Sequence, residues 1–295
     1  MSGTVRFQLE GGSNPLILVH AEVNDAGPFR FVLDTGAGLC VLSPRVAAHL
    51  GVEAYAEKHG MGAGGPVKLS FARLGSLSVG STREHSVEVL ITDELDRIGA
   101  AIGARVDGAI GFNFLKGSRL TLDYRKNLLG LACPSEGGDG HRARGATSVP
   151  FTIAAPSKPL ILVPAFVEGQ GPFAFAVDTG ASSTMLAPGI AQRLGMKTVE
   201  VVSATGGGGQ VPISAGGVRS LSLGDACVRD LAVGVGEFLN MLSAAIGARL
   251  DGILGHNFLS QFQVTIDYPR ALLELAPAAD LPGEDVGRPV REMVS

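Results

Sequence analysis

Val5, Phe7 and Leu9 alternate with Arg6 and Gln8, the two-residue period of a strand with one buried face. Leu16 to Val19 is a short apolar run. Asn24-Asp25-Ala26-Gly27-Pro28 then supplies turn chemistry before a second apolar run, Phe29 to Leu33. The pattern predicts a hairpin whose second strand ends directly at an acid, Asp34. Ser43 and Pro44 follow as N-cap and first helical residue, and Gly51 closes a short helix through His49 and Leu50. A glycine-rich segment, Gly60 to Gly65, runs into a β-like stretch from Val67 to Leu74. It reads as a hairpin with a mobile tip, because glycine lifts the steric limits on the backbone angles. A helical crossover near Asp93 to Ala104 completes the unit.

The unit then occurs a second time, 144 positions further on. Leu16-Ile17-Leu18-Val19 becomes Leu160-Ile161-Leu162-Val163, and the turn becomes Glu168-Gly169-Gln170-Gly171-Pro172. Asp34-Thr35-Gly36-Ala37 becomes Asp178-Thr179-Gly180-Ala181, and Leu50-Gly51 becomes Leu194-Gly195. The matching helix is Pro188 to Leu194, where Ala187 is a poorer cap than Ser43. Gly206 to Gly209 runs into Val211 to Val218, and Ala100 to Gly108 recurs as Ala244 to Gly252. Leu122-Asp123-Tyr124 returns as Ile266-Asp267-Tyr268. A period this long is a duplicated domain, since solenoid and propeller units are far shorter. The reading divides the chain into residues 1–133, a Gly-rich and mixed-charge linker over 134–148, residues 149–279, and a loose tail over 280–295. Each half is large enough to bury its own core.

Glycine supplies 42 of 295 residues, about twice the usual share. Apolar residues stay plentiful, so many short strands joined by tight turns explain it better than disorder does; the fold class is mostly β. A net charge of −4 is too mild to suggest nucleic acid or an anionic membrane as partner. No apolar run approaches the roughly 20 residues that span a bilayer. Met1 to Arg6 does not read as a secretory signal. Cys40, Cys133 and Cys227 have no mates under the repeat, so a disulfide framework is not expected and a cytoplasmic setting is. The six histidines lack the short spacings of a metal site.

A lone carboxylate on an apolar strand is usually a liability. Two, related by duplication, can meet across a pseudo-two-fold axis and share a proton, since like charges about 3 Å apart cannot both ionise. The ionised member can take a proton from water attacking an amide carbonyl, while the protonated one hydrogen-bonds the developing oxyanion. That chemistry requires no covalent intermediate, metal or cofactor.

Asp-Thr-Gly-Ala after an apolar strand, a Gly-rich hairpin, and the turns Ala109-Ile110-Gly111-Phe112-Asn113 and Ile253-Leu254-Gly255-His256-Asn257 together resemble the aspartic proteases, most of all the retropepsin-like branch. The resemblance covers nearly all of both halves. It implies two tandem β-barrel lobes about a pseudo-two-fold axis, and an endopeptidase that acts on peptides or proteins. It implies catalytic roles for Asp34 and Asp178, a buttressing role for Thr35 and Thr179, and close backbone approach at Gly36 and Gly180. Flap character carries over to the segments holding Gly62, Gly64 and Gly65, and Gly206, Gly208 and Gly209. Both acids lie in one chain, so a monomer is expected, with a domain-swapped or paired dimer as the alternative.

Two features depart from the family. Viral members follow the motif with acids and place Arg in the Gly-x-Asn turn; here Gly38-Leu39 and Ser182-Ser183 follow the motif, while Phe112 and His256 occupy the turn. Apolar contact is the expected substitute in the first half. Neither flap tip carries an aromatic residue.

Plainer readings stand beside these. Asp34 and Asp178 could cap turns at strand ends, although their recurrence with Thr and Gly argues otherwise. Asp107, Asp251, Asp123 and Asp267 also recur and are read as turn-fixing residues. His256 is read as a packing residue because its counterpart is Phe112. Gly206 to Gly209 lacks the Lys-Ser/Thr and helix of a phosphate loop. The competing function is a catalytically silent peptide-binding or assembly module on the same fold.

Overall fold

Strands pair across the duplication as well as within it. The computed structural model describes residues 3–62, 64–132, 145–156 and 158–277. Its first half runs β1 (Gly3–Arg6), β2 (Gln8–Glu10), β3 (Leu16–Val23), β4 (Ala26–Leu33), β5 (Cys40–Leu42), α1 (Pro44–His49) and β6 (Ala54–Gly62). It continues with β7 (Gly65–Val79), β8 (Thr82–Ile91), α2 (Glu94–Ile102), β9 (Gly108–Ile110), α3 (Phe112–Leu115), β10 (Arg119–Asp123) and β11 (Leu128–Ala132). The second half runs β12 (Thr147–Pro150), β13 (Thr152–Ala155), β14 (Lys158–Val167), β15 (Gln170–Val177), β16 (Met185–Leu186), α4 (Pro188–Arg193) and β17 (Val199–Gly206). It ends with β18 (Gly209–Leu223), β19 (Ala226–Val235), α5 (Phe238–Ile246), β20 (Gly252–Leu254), α6 (His256–Leu259), β21 (Phe262–Asp267) and β22 (Leu272–Pro277).

The mostly-β reading holds; the expectation of two tandem β-barrels does not. Among the described residues each half forms an eight-stranded mixed sheet, ordered β2-β3-β4-β9-β5-β8-β7-β6 in the first and β13-β14-β15-β20-β16-β19-β18-β17 in the second. Each sheet keeps two edge strands. It folds back on itself only at one corner, where Glu22 and Val23 meet Ser78 and Leu77, and Phe166 and Val167 meet Ser222 and Leu221. The strands at the ends of each half go elsewhere, into a six-stranded sheet ordered β1-β11-β10-β21-β22-β12. Leu120, Leu122, Leu129 and Leu131 from one half, and Val264, Ile266, Leu273 and Leu275 from the other, are buried on its inner face. At its centre β10 and β21 run antiparallel with Thr121 opposite Thr265, a pair 144 positions apart, and their hydroxyls lie 3.1 Å from each other. A local pseudo-two-fold axis passes between them, and one apolar core runs through both halves.

Local rules account for the pieces. Asn24 and Asp25 adopt φ of 51° and 64°, which closes the β3–β4 hairpin in two residues. Gly27 and Pro28 therefore lie inside β4, whereas the sequence places them in the turn. Ser43 caps α1 by accepting a hydrogen bond from the Val46 N–H at 3.3 Å, and Ala187 makes no such bond for α4. Of the expected linker, residues 134–144 lie outside the described residues, and Thr147 and Ser148 already belong to β12. The expected tail, 280–295, and Cys133 also lie outside them. Cys40 and Cys227 are free thiols. No helix among the described residues is long and apolar enough to cross a membrane.

Candidate active site

Asp34 and Asp178 each stand one residue beyond a central strand. The Asp34 N–H donates to Ile110 O at 3.0 Å and the Asp178 N–H to Leu254 O at 3.1 Å, so both loops are fixed to the strand beside them. Asp107 and Asp251 hold those loops from behind. The Asp107 carboxylate accepts the Arg30 N–H at 2.9 Å, and that of Asp251 accepts the Ala174 N–H at 2.8 Å. Each backbone N–H in turn reaches the carbonyl of the same strand residue at 2.8 Å. These two acids therefore clamp the strands leading to Asp34 and Asp178, a wider role than turn-fixing. Asp123 and Asp267 do fix turns, accepting the N–H groups of Lys126 and Arg270.

Thr35 and Thr179 lock the two halves together. Each hydroxyl donates to a carbonyl across the axis, Thr35 to Val177 O at 2.8 Å and Thr179 to Leu33 O at 2.7 Å. Each also accepts the other threonine's backbone N–H, at 3.1 and 3.0 Å. With both residues almost fully buried, every donor and acceptor in this knot is matched.

The knot brings the acids together. Each carboxyl faces the glycine of the other loop, near enough for the two charges to interact, and Asp34 Oδ1 accepts the N–H groups of Gly36 and Ala37, each at 2.9 Å. Asp178 Oδ1 accepts the Gly180 N–H at 2.8 Å. Both residues are half-buried. Burial is the main cause that raises both carboxyls above the ordinary range, and at Asp178 the Asp34 charge adds to it. The pair therefore retains a proton where isolated carboxyls would have lost theirs, and that proton belongs to the pair. Gly36 and Gly180 are required for this approach. A Cβ on Gly36 would lie 2.6 Å from Asp178 Cγ, and one on Gly180 would lie 2.6 Å from Asp34 Cγ.

The late turns brace the outer side of the loops. Asn113 Oδ1 accepts the Cys40 N–H at 2.8 Å, and Asn257 Oδ1 accepts the Thr184 N–H at 2.8 Å. Cys40 replaces the Thr184 hydroxyl with a thiol that burial pushes up to about 12, so it stays neutral. Where the family's ion pair is missing, rings cross between the halves. Phe112 meets Tyr268 edge-on at 5.7 Å, and Tyr124 meets His256 at 5.2 Å. Apolar contact thus replaces the ion pair in the first half, and His256 sits in a packing position where burial lowers its pKa.

The candidate flaps are the tips of the β6–β7 and β17–β18 hairpins, closed by the pairs Gly62–Gly65 and Gly206–Gly209. The tips touch each other. The Gly64 N–H donates to Gly207 O at 2.7 Å, and a Cβ on Gly208 would lie 2.5 Å from Gly65 O. The glycines thus permit backbone to lie on backbone, and the tips are joined where the sequence suggested mobility. Sequence reasoning missed Glu94, whose carboxylate accepts the Gly208 N–H at 2.8 Å. The available signal was a mismatch in the repeat, for its counterpart is Phe238.

A two-fold related pair of acids tied by a threonine knot, together with two glycine hairpins whose tips meet, defines a class, and the sequence comparison agrees. A model of the family described as Aspartyl protease matches residues 19–114 and 163–258, more than half of the chain, with the same 144-residue offset between its two segments. The chain belongs to the aspartyl protease family. No curated protein matches it.

Proposed function

We propose that the chain is an aspartic endopeptidase that hydrolyses peptide bonds at an Asp34–Asp178 dyad assembled within one polypeptide. The observation that supports this reading is the close approach of each carboxyl to the glycine of the other loop, Gly36 or Gly180, held at the axis by the threonine knot. The ionised carboxylate takes a proton from a water molecule as the water oxygen attacks the scissile carbonyl carbon. The protonated carboxyl donates its hydrogen bond to the carbonyl oxygen as charge builds there. Transfer of a proton to the amide nitrogen then releases the amine and restores the pair. A pair that holds one proton over a range reaching upward from the usual carboxylate pKa supports turnover in the weakly acidic to near-neutral range.

Incubation with a diverse peptide library, with and without a hydroxyl-bearing transition-state mimic, tests the reading. Cleavage that the mimic suppresses supports an enzyme. Peptide retention without cleavage supports the silent binding module instead. Specific activity unchanged on dilution supports a monomer.

A further inference from the structure

The two hairpin tips are not held alike. The C-terminal tip receives two bonds from the first half: Gly207 O accepts the Gly64 N–H, and the Gly208 N–H donates to Glu94 Oε2 at 2.8 Å. Glu94 opens α2, which packs against β17 of the other half. Its carboxylate is largely buried, and Oε1 is paired with Arg97 at 2.7 Å while Oε2 faces the tip. The position related by the repeat is Phe238, a buried side chain with no acceptor to offer. Phe238 lies instead against Gly236 of its own half, where an added Cβ would be 2.6 Å from its ring.

We propose that Glu94 is a positioning residue that clasps the C-terminal hairpin tip, making that flap the anchored one and the N-terminal flap the freer one. The proposal rests on the peptidase reading for its consequence in turnover, but not for the clasp itself. A charge-assisted bond to a backbone N–H is about twice as strong as a neutral one. An anchored flap contributes to binding of substrate and transition state alike, so its loss raises KM and leaves kcat little changed.

Amide hydrogen exchange on the full chain carrying Asp34→Asn, which removes turnover, tests the clasp directly. Glu94→Ala should speed exchange over residues 204–211 by about tenfold or more relative to residues 60–67. Glu94→Gln, which keeps a carbonyl acceptor, should restore most of the protection. Unchanged exchange in Glu94→Ala, or a Gln variant that exchanges as fast as the Ala variant, would overturn the proposal. In the chain with both acids, Glu94→Ala should raise KM with kcat within about threefold of wild type, and Glu94→Gln should recover KM. A fall in kcat at constant KM would overturn the positioning role. Because exchange is read without turnover, a failed clasp and a failed peptidase reading are separate results.

Discussion

Replacing Thr35 by Val removes one hydroxyl and almost nothing else, because the two side chains have nearly the same shape. Two groups lose their partners: Val177 O, which accepts the hydroxyl at 2.8 Å, and the Thr179 N–H, which donates to it at 3.0 Å. Thr35 is 1% exposed and Thr179 is 2% exposed, so water cannot replace either bond without opening the contact between the halves. A buried group left unpaired costs roughly 1–3 kcal/mol, so with two such groups the substitution should destabilise the fold by roughly 2–6 kcal/mol. Thr35→Ser keeps both bonds and loses a methyl group, worth about 0.8 kcal/mol. Urea denaturation of the three proteins reads the difference, with the slope against denaturant unchanged. A Val variant within about 0.5 kcal/mol of wild type would refute the reasoning, as would a Ser variant as unstable as the Val one.

Asp178→Asn should stabilise the fold at pH 8 and do so progressively less towards pH 4. The folded pair binds its proton more tightly than the unfolded carboxyls do, so the cost of ionising it is absent below about pH 4 and grows as pH rises towards about 8; denaturation curves across that window check this. His256→Phe should stabilise the chain more at pH 5 than at pH 8. A buried imidazole with a lowered pKa leaves the unfolded state to take up protons as pH falls below 6.5, and the Phe variant loses that penalty. Gly36→Ala should reduce kcat by about a hundredfold or more, because the new Cβ must displace the Asp178 carboxyl. Gly117→Ala, where a Cβ meets open space, should leave the rate unchanged.

The duplication made much of this legible. One offset of 144 residues links Thr35 to Thr179, Asp34 to Asp178 and Thr121 to Thr265, and all three pairs meet in space. The capped helix after Ser43 and the packing position of His256 could be read locally because local chemistry decides them. The shared sheet could not. Leu120 and Leu122 alternate with polar neighbours in any strand with one buried face, and the alternation does not say whether the partner is β11 or the other half's β21. The expectation of closed barrels came with the family resemblance, and the alternation could not correct it; open sheets joined by a third are found. Glu94 shows in the sequence only as a mismatch with Phe238, and what it binds was hidden for another reason. Its partner is a backbone N–H 114 residues away, in a hairpin whose contacts depend on how the halves dock.

The central claim is that Asp34 and Asp178 work as one unit, and single-residue kinetics test it most directly. The rate of cleavage of a peptide substrate should be compared for the wild type, Asp34→Asn, Asp178→Asn and the double variant. If the pair supplies both the base and the acid, each single change lowers kcat by about a thousandfold or more, and the double variant is no more than about tenfold worse than either. Retention of more than about a tenth of the wild-type rate in either single variant would contradict the account.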